Sequence, residues 1–250
     1  MIKRLYFYSV TFFNLHYMLR ILLTLVVSFS AFSSIFAQSS IPSVVGEMRN
    51  VMWKGELGRV IKLDTISSKK NLYGLGPIEY LKGEIMVFDG ITYTSIVVNE
   101  TKLLVKTKEE VSAPFFAYSN ISEWSEVEIV SSVKDLQSLE TFLNQHFSST
   151  DIPFFFKLEG LFKDAEIHIV NLPAGSKVKS PQEAHQGQVN YTLPQGSGTL
   201  LGFFSRKHKA IFTHHDTFMH IHLITAERDK MGHLEHIEFN PNQMKLFVAK

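Results

Sequence analysis

The segment 219–239 constrains the fold more than any other part of this chain. Met219-His220-Ile221-His222-Leu223 alternates with the period of two that a β-strand imposes, so His220 and His222 share one face and Ile221 and Leu223 take the other. Residues 226–232 (AERDKMG) are charged and end in glycine, as a hairpin loop does, and His233 then opens a second alternating run, HLEHIEF. Same-face neighbours in a strand lie ~7 Å apart, which suits two ligands chelating one ion at metal–nitrogen distances of ~2 Å. His233, returned across from the pair, completes three histidines with one coordination position left open. That is the arrangement of a catalytic rather than a structural metal site. Zn²⁺ is the expected ion, and an imidazole-only site also accepts Cu²⁺, Ni²⁺ or Fe²⁺. The cluster holds six of the chain's eleven histidines. His214 and His215 precede Asp216 in a polar loop and His236 points away from His233, so these three read as ordinary polar residues.

The beginning of the chain speaks to destination. Leu19 to Ala37 (LRILLTLVVSFSAFSSIFA) is apolar with Arg20 near its start, and ends at Ala37-Gln38, a small-residue cleavage point. We read 1–37 as a signal peptide, with Met18 as an alternative start, and expect export to the periplasm or the extracellular space. The competing reading is an uncleaved anchor, since Leu5 to Phe13 is also apolar. Residues 38–250 then form the working domain. There is no cysteine, so an exported fold must rest on its core rather than on disulfides. With 45% hydrophobic residues in a chain of 250, that core is large enough. A formal net charge of +1 gives no field suited to nucleic acid or an anionic membrane.

Elsewhere, Val44, Met48, Val51, Met52 and Leu57 fall at helical spacing, followed by a turn near Gly55. The Gly- and Pro-containing stretch 69–80 reads as an irregular loop. Residues 83–93 read as strand, Asp-Gly turn and strand. Ser132 reads as the cap of a helix whose stripe is Leu136, Leu139, Phe142, Leu143 and Phe147. Strands at 154–158 and 166–171 read as a hairpin turning at Glu159-Gly160, and Ser180-Pro181 opens a short helix. From Gly198 onward the chain reads as strands, including AIFTH at 210–214. The expected class is α+β and sheet-dominated, with mixed or antiparallel strands, two or three packing helices, and two sheet subdomains sharing a core.

With these landmarks in order, the sequence resembles the α-acetolactate decarboxylases. His220-Ile221-His222 followed eleven residues on by Gly232-His233 is similar to the family's C-terminal signature. Gly83-Glu84, Asp89-Gly90-Ile91-Thr92-Tyr93, Ala113-Pro114-Phe115, the run 156–162 (FKLEGLF) and Gly198-Thr199-Leu200-Leu201-Gly202-Phe203 resemble further family segments. The likeness spans roughly residues 43–239.

The resemblance implies a Zn²⁺ enzyme that converts 2-acetolactate to acetoin and CO₂, with His220, His222 and His233 as metal ligands and Glu84 as the residue that donates a proton or orients the donor. It implies a small-molecule substrate, no nucleic-acid partner, no stable membrane association after cleavage, and leaves a homodimer open. Two departures stand out. His168 occupies the position of a substrate-facing arginine, without that residue's bidentate fork. The tail after Glu238 (FNPNQMKLFVAK) carries no counterpart of an acid that the family uses near its C-terminus. Two other readings remain at this stage: a homologue acting on another hydroxy-keto acid, and a cupin-like metal barrel using His220, His222 and Glu227.

Overall fold

The structure is a computed structural model and describes residues 41–214 and 216–250, all within the unit Gln38–Lys250. The expected leader, 1–37, and His215 lie outside the described residues. Among the described residues no helix is long and apolar enough to cross a membrane.

Two antiparallel sheets hold nearly all the strand residues among those described. The first runs β1 (Ser43–Val45), β8 (Phe116–Asn120), β3 (Leu72–Pro77), β4 (Glu84–Phe88), β5 (Ile91–Asn99) and β6 (Lys102–Thr107), in that order. A two-stranded ribbon joins β2 (Ile61–Lys62) to β7 (Ser112–Ala113). The second sheet runs β10 (Phe154–Ile169), β11 (Val189–Phe204), β12 (Met219–Thr225), β13 (Met231–Ala249) and β9 (Trp124–Val127). Because β13 also pairs with β10, four long strands close on themselves. Three helices complete the unit: α1 (Met48–Lys54), α2 (Leu136–His146) and α3 (Pro181–Ala184). The sheet-dominated α+β class expected from the sequence is what forms.

Strand periodicity decides which side chains meet. On β4, Glu84 and Met86 face one way and Ile85 and Val87 the other, and Met86 enters a core with Leu75, Phe155, Phe203 and Ile224 from both sheets. On β10, Ile167 and Ile169 line the interior of the closed sheet, which turns His168 and Val170 toward the first sheet. On β12, Ile221 and Leu223 go to that same interior, while His220 and His222 face the first sheet. The polar residues of three strands therefore converge in the layer between the sheets.

Several local expectations are corrected. The hairpin expected at 154–171 is one continuous sixteen-residue strand. Gly160 does not turn the chain; at φ 151° it lets β13 cross closely, and a Cβ there would lie 2.0 Å from the Gln243 carbonyl. The loop expected at 69–80 contains the fully buried strand β3. Glycine is needed there because the Phe116 ring lies over the backbone, 2.7 Å from where a Gly74 Cβ would be. The N-terminal helix is shorter than its apolar spacing suggested, since Val44 belongs to β1, and it ends at Gly55 in the left-handed region, φ 67°. The cap of α2 is Asp135 rather than Ser132: its carboxylate accepts the Ser138 N–H at 2.8 Å, and Ser138 Oγ accepts the Asp135 N–H at 3.1 Å. Residues 210–214 make a turn with a bridge between Lys209 and Thr213, not a strand.

Candidate metal centre and its flanking carboxyl

β12 and β13 meet in register at His222 and His233, and His233 is simultaneously opposite His168 on β10. One residue thus carries a histidine neighbour on each side of its strand. The ring nitrogens of His220, His222 and His233 all lie within 4.8 Å of one another, and all three side chains are buried. The two residues predicted to share a face do so, with Nε2 of His220 3.2 Å from Nε2 of His222. His220 Nδ1–H donates to the Phe212 carbonyl at 2.8 Å. A carbonyl only accepts, so the proton sits on Nδ1 and Nε2 is left as a lone-pair donor, the tautomer a metal requires. The Phe212 ring stacks on His220 at 4.6 Å and holds its plane.

Burial keeps these rings neutral. Loss of solvation pushes His220 down to about 3, with the Phe212 carbonyl opposing and neighbouring histidines assisting. His222 and His233 are held well below the ordinary imidazole value, again chiefly by loss of solvation. Nδ1 of His222 is buried without a hydrogen-bond partner of normal geometry. A borderline divalent cation fits this donor set, and Zn²⁺ is such an ion.

Glu84, the first residue of β4, meets the triad from the opposite sheet. Oε2 lies 3.7 Å from His222 Nε2, and Oε1 lies 3.9 Å from His168 Nε2 while accepting the Val170 N–H at 3.1 Å. The side chain is buried, and loss of solvation raises its pKa well above the ordinary carboxyl value. The Val170 amide opposes this, and the charge on Glu235 adds to it. His168 stacks on His233 with centroids 4.6 Å apart, and its Nδ1 lies 2.5 Å from Glu235 Oε1. That hydrogen bond, the leading cause, lowers the Glu235 pKa.

All five residues named from the sequence are therefore brought into one site. Three others join them. The His214 ring lies 5.1 Å from His233 and lines the same cavity, although His214 belongs to neither candidate ligand group. His185, just past α3, lies 6.0 Å from His168. Neither was legible, because each sits on an irregular segment where no period reports direction. Glu235 could have been noticed, two positions after His233 on the same strand face. His236 pairs with Asp164 at the surface and joins no candidate ligand group among the described residues. Glu227 lies exposed in the β12–β13 turn and joins no candidate ligand group among the described residues, so the cupin-like set does not assemble.

A small cavity of about 30 Å³, roughly one water molecule, is lined by Glu84, His168, His185, His220 and His233, with Met48 and Phe115 among its apolar walls. A groove of about 500 Å³ shares His214 and His233 with it and carries Glu235.

Fold and site define a class: a two-sheet antiparallel protein with a buried imidazole triad fit for a divalent metal and a buried carboxyl of raised pKa facing it. The chain belongs to the alpha-acetolactate decarboxylase family, whose sequence model matches residues 47–250. It is 27% identical over 175 residues to an alpha-acetolactate decarboxylase of Brevibacillus brevis. That alignment covers 69% of this chain and 58% of the relative, so the chain spans a little over half the length of the curated relative it matches. Its fold is similar to the crystal structure of alpha-acetolactate decarboxylase from Bacillus subtilis, with TM-score 0.69 and 19% identity over 83% of this chain and 84% of that one. A Staphylococcus aureus protein of unknown function, described as similar to alpha-acetolactate decarboxylase, is comparable at TM-score 0.67 and 17% identity, covering 83% of this chain and 84% of that one.

Proposed function

We propose that this chain is a Zn²⁺-dependent carboxy-lyase that converts 2-acetolactate to acetoin and CO₂. The observation that carries the reading is Glu84, a buried carboxyl with a raised pKa, 3.7 Å from a ring nitrogen of the histidine triad.

In 2-acetolactate the bond between the carboxylate carbon and the carbinol carbon breaks. CO₂ leaves, and the bonding pair passes into a new carbon–carbon double bond while the ketone oxygen takes up negative charge. A divalent cation held by His220, His222 and His233 would supply Lewis-acid stabilisation of that developing charge. The carbinol carbon must then receive a proton to give acetoin. Glu84 is suited to hold it, because loss of solvation keeps its carboxyl protonated at a pH where an exposed one is ionised. Val170 N–H fixes one Glu84 oxygen at 3.1 Å, leaving the other to act. His168 is suited to orient the substrate from the far side of Glu84, its Nε2 being 3.9 Å from Oε1. The same reading includes export through the leader at 1–37.

A second reading has one specific support. A single imidazole, His168, stands where the resemblance leads one to expect a guanidinium, which favours a metal-binding homologue acting on another 2-hydroxy-3-keto acid. The purified Zn²⁺-loaded protein given racemic acetolactate should release acetoin well above the spontaneous rate. About one metal per chain with acetoin at the spontaneous rate would move the assignment to the second reading.

A further inference from the structure

Glu235 belongs to neither the histidine triad nor the roles assigned so far, yet the strand is distorted at this residue. Along β10 and β13, Ile167 pairs with Leu234 and Glu166 pairs with His236, which leaves Glu235 as the unpaired residue of a β-bulge. A bulge at a ladder otherwise kept in register re-aims one side chain, and such distortions concentrate beside active sites. Here the carboxylate at the bulge, free of a cross-strand neighbour in the β10 ladder, meets His168 Nδ1 at 2.5 Å.

A histidine ring can flip about its Cβ–Cγ bond, which puts Cδ2 where Nδ1 was and Cε1 where Nε2 was, and stacking on His233 does not prevent this. A carboxylate that accepts from Nδ1–H does prevent it. With Nδ1 engaged outward, Nε2 is the atom turned to the cavity, where it faces Glu84. The Glu235 side chain is 38% exposed and lines the outer groove, whereas His168 is 5% exposed. The pair therefore reaches from the groove wall to the buried carboxyl.

We infer that Glu235 is a positioning residue: by holding Nδ1–H of His168 it fixes the ring so that Nε2, left as an acceptor, presents to the hydroxyl of a small hydroxy-keto acid. The inference rests on the decarboxylase reading for its kinetic consequence, but not for its structural one. It also explains how one imidazole serves at this position, since a ring held at one nitrogen loses little freedom when the other binds.

The test uses the full chain loaded with Zn²⁺. Glu235→Ala should lower kcat/KM for acetolactate by about 10- to 100-fold, mainly through KM, with metal content and melting temperature unchanged. Glu235→Gln, which retains an acceptor oxygen, should recover most of that loss. Glu235→Ala should add nothing in a His168→Ala background. Independently of activity, ¹⁵N-histidine NMR should show His168 as a single Nδ1–H tautomer that becomes a mixture in Glu235→Ala. An unaltered tautomer in Glu235→Ala overturns the inference whether or not the chain makes acetoin. So does a second metal per chain that is lost in Glu235→Ala, because His168, His233 and Glu235 would then be ligands of that ion. If wild type makes no acetoin while the tautomer shift is present, the decarboxylase reading falls and the positioning role stands.

Discussion

His168 and His233 stand opposite each other in the β10–β13 ladder, and their rings stack with centroids 4.6 Å apart and planes 28° from parallel. Through this one pairing the imidazole triad on β12 and β13 is tied to the groups that flank it, His168 and, beyond it, Glu84 and Glu235. The consequences for metal, pH, catalysis and folding can each be measured.

Replacing any one of His220, His222 or His233 by alanine removes one of the three imidazoles of the candidate metal site. Elemental analysis of each purified variant should fall from about one metal per chain to a small fraction of that, with acetoin formation near the spontaneous rate. Glu227→Ala should keep its metal; losing it there while His233→Ala retained it would restore the cupin-like reading.

The metal-free protein should lose stability as pH falls below 6.5. The three buried histidines have folded pKa values depressed below the ordinary 6.5, so under that pH the unfolded chain binds protons the fold refuses. Their stabilisation is present above 6.5 and is lost on acidification. The slope is about 1.4 kcal/mol per pH unit for each ring that stays neutral. Urea titrations from pH 7.5 to 5 check this, and a flat profile would mean the rings protonate in place.

Glu84 has the opposite sign. Its folded pKa is raised above 4.5, so stability is fully present below that value and declines as pH rises toward the folded pKa, where the unfolded chain gives up a proton the fold keeps. Glu84→Gln should remove this decline, leaving the metal-free variant more stable than wild type near neutrality. It should also lower kcat by about 10²- to 10⁴-fold, the usual contribution of a positioned proton donor, with metal still bound. A variant with unchanged kcat would remove Glu84 from the chemistry.

Gly160→Ala should destabilise the protein by about 2–4 kcal/mol, visible as a lower urea midpoint. The added methyl would meet the Gln243 carbonyl at 2.0 Å, backbone against backbone, at a φ of 151° that L-residues rarely adopt. Gly175→Ala is the contrast: φ is 80°, but nothing lies within 4 Å of the new Cβ, so only the smaller strain of a positive φ applies.

Within short range the sequence was readable because strand period and turn chemistry are local. Alternation alone put His220 and His222 on one face, and Asp89-Gly90 marked its turn, both residues having positive φ. The largest failures were cases in which a distant segment changed a local meaning. Gly160 carries a turn signal, but a strand more than eighty residues away in sequence needs its missing Cβ. Gly74 and Gly76 read as loop until the Phe116 ring, from a strand not yet formed, is laid across them.

The sequence by itself determined the histidine triad of the candidate metal site, the strands that carry it and the sheet-dominated class, since each follows from spacing along a few residues. Only the tertiary structure decided what surrounds that triad. Glu84 arrives from the opposite sheet, His168 from a neighbouring strand, and His185 and His214 from segments with no period to read. The raised carboxyl and the depressed imidazoles follow from burial between two sheets. Desolvation is a property of the assembled layer, so no run of residues announces it.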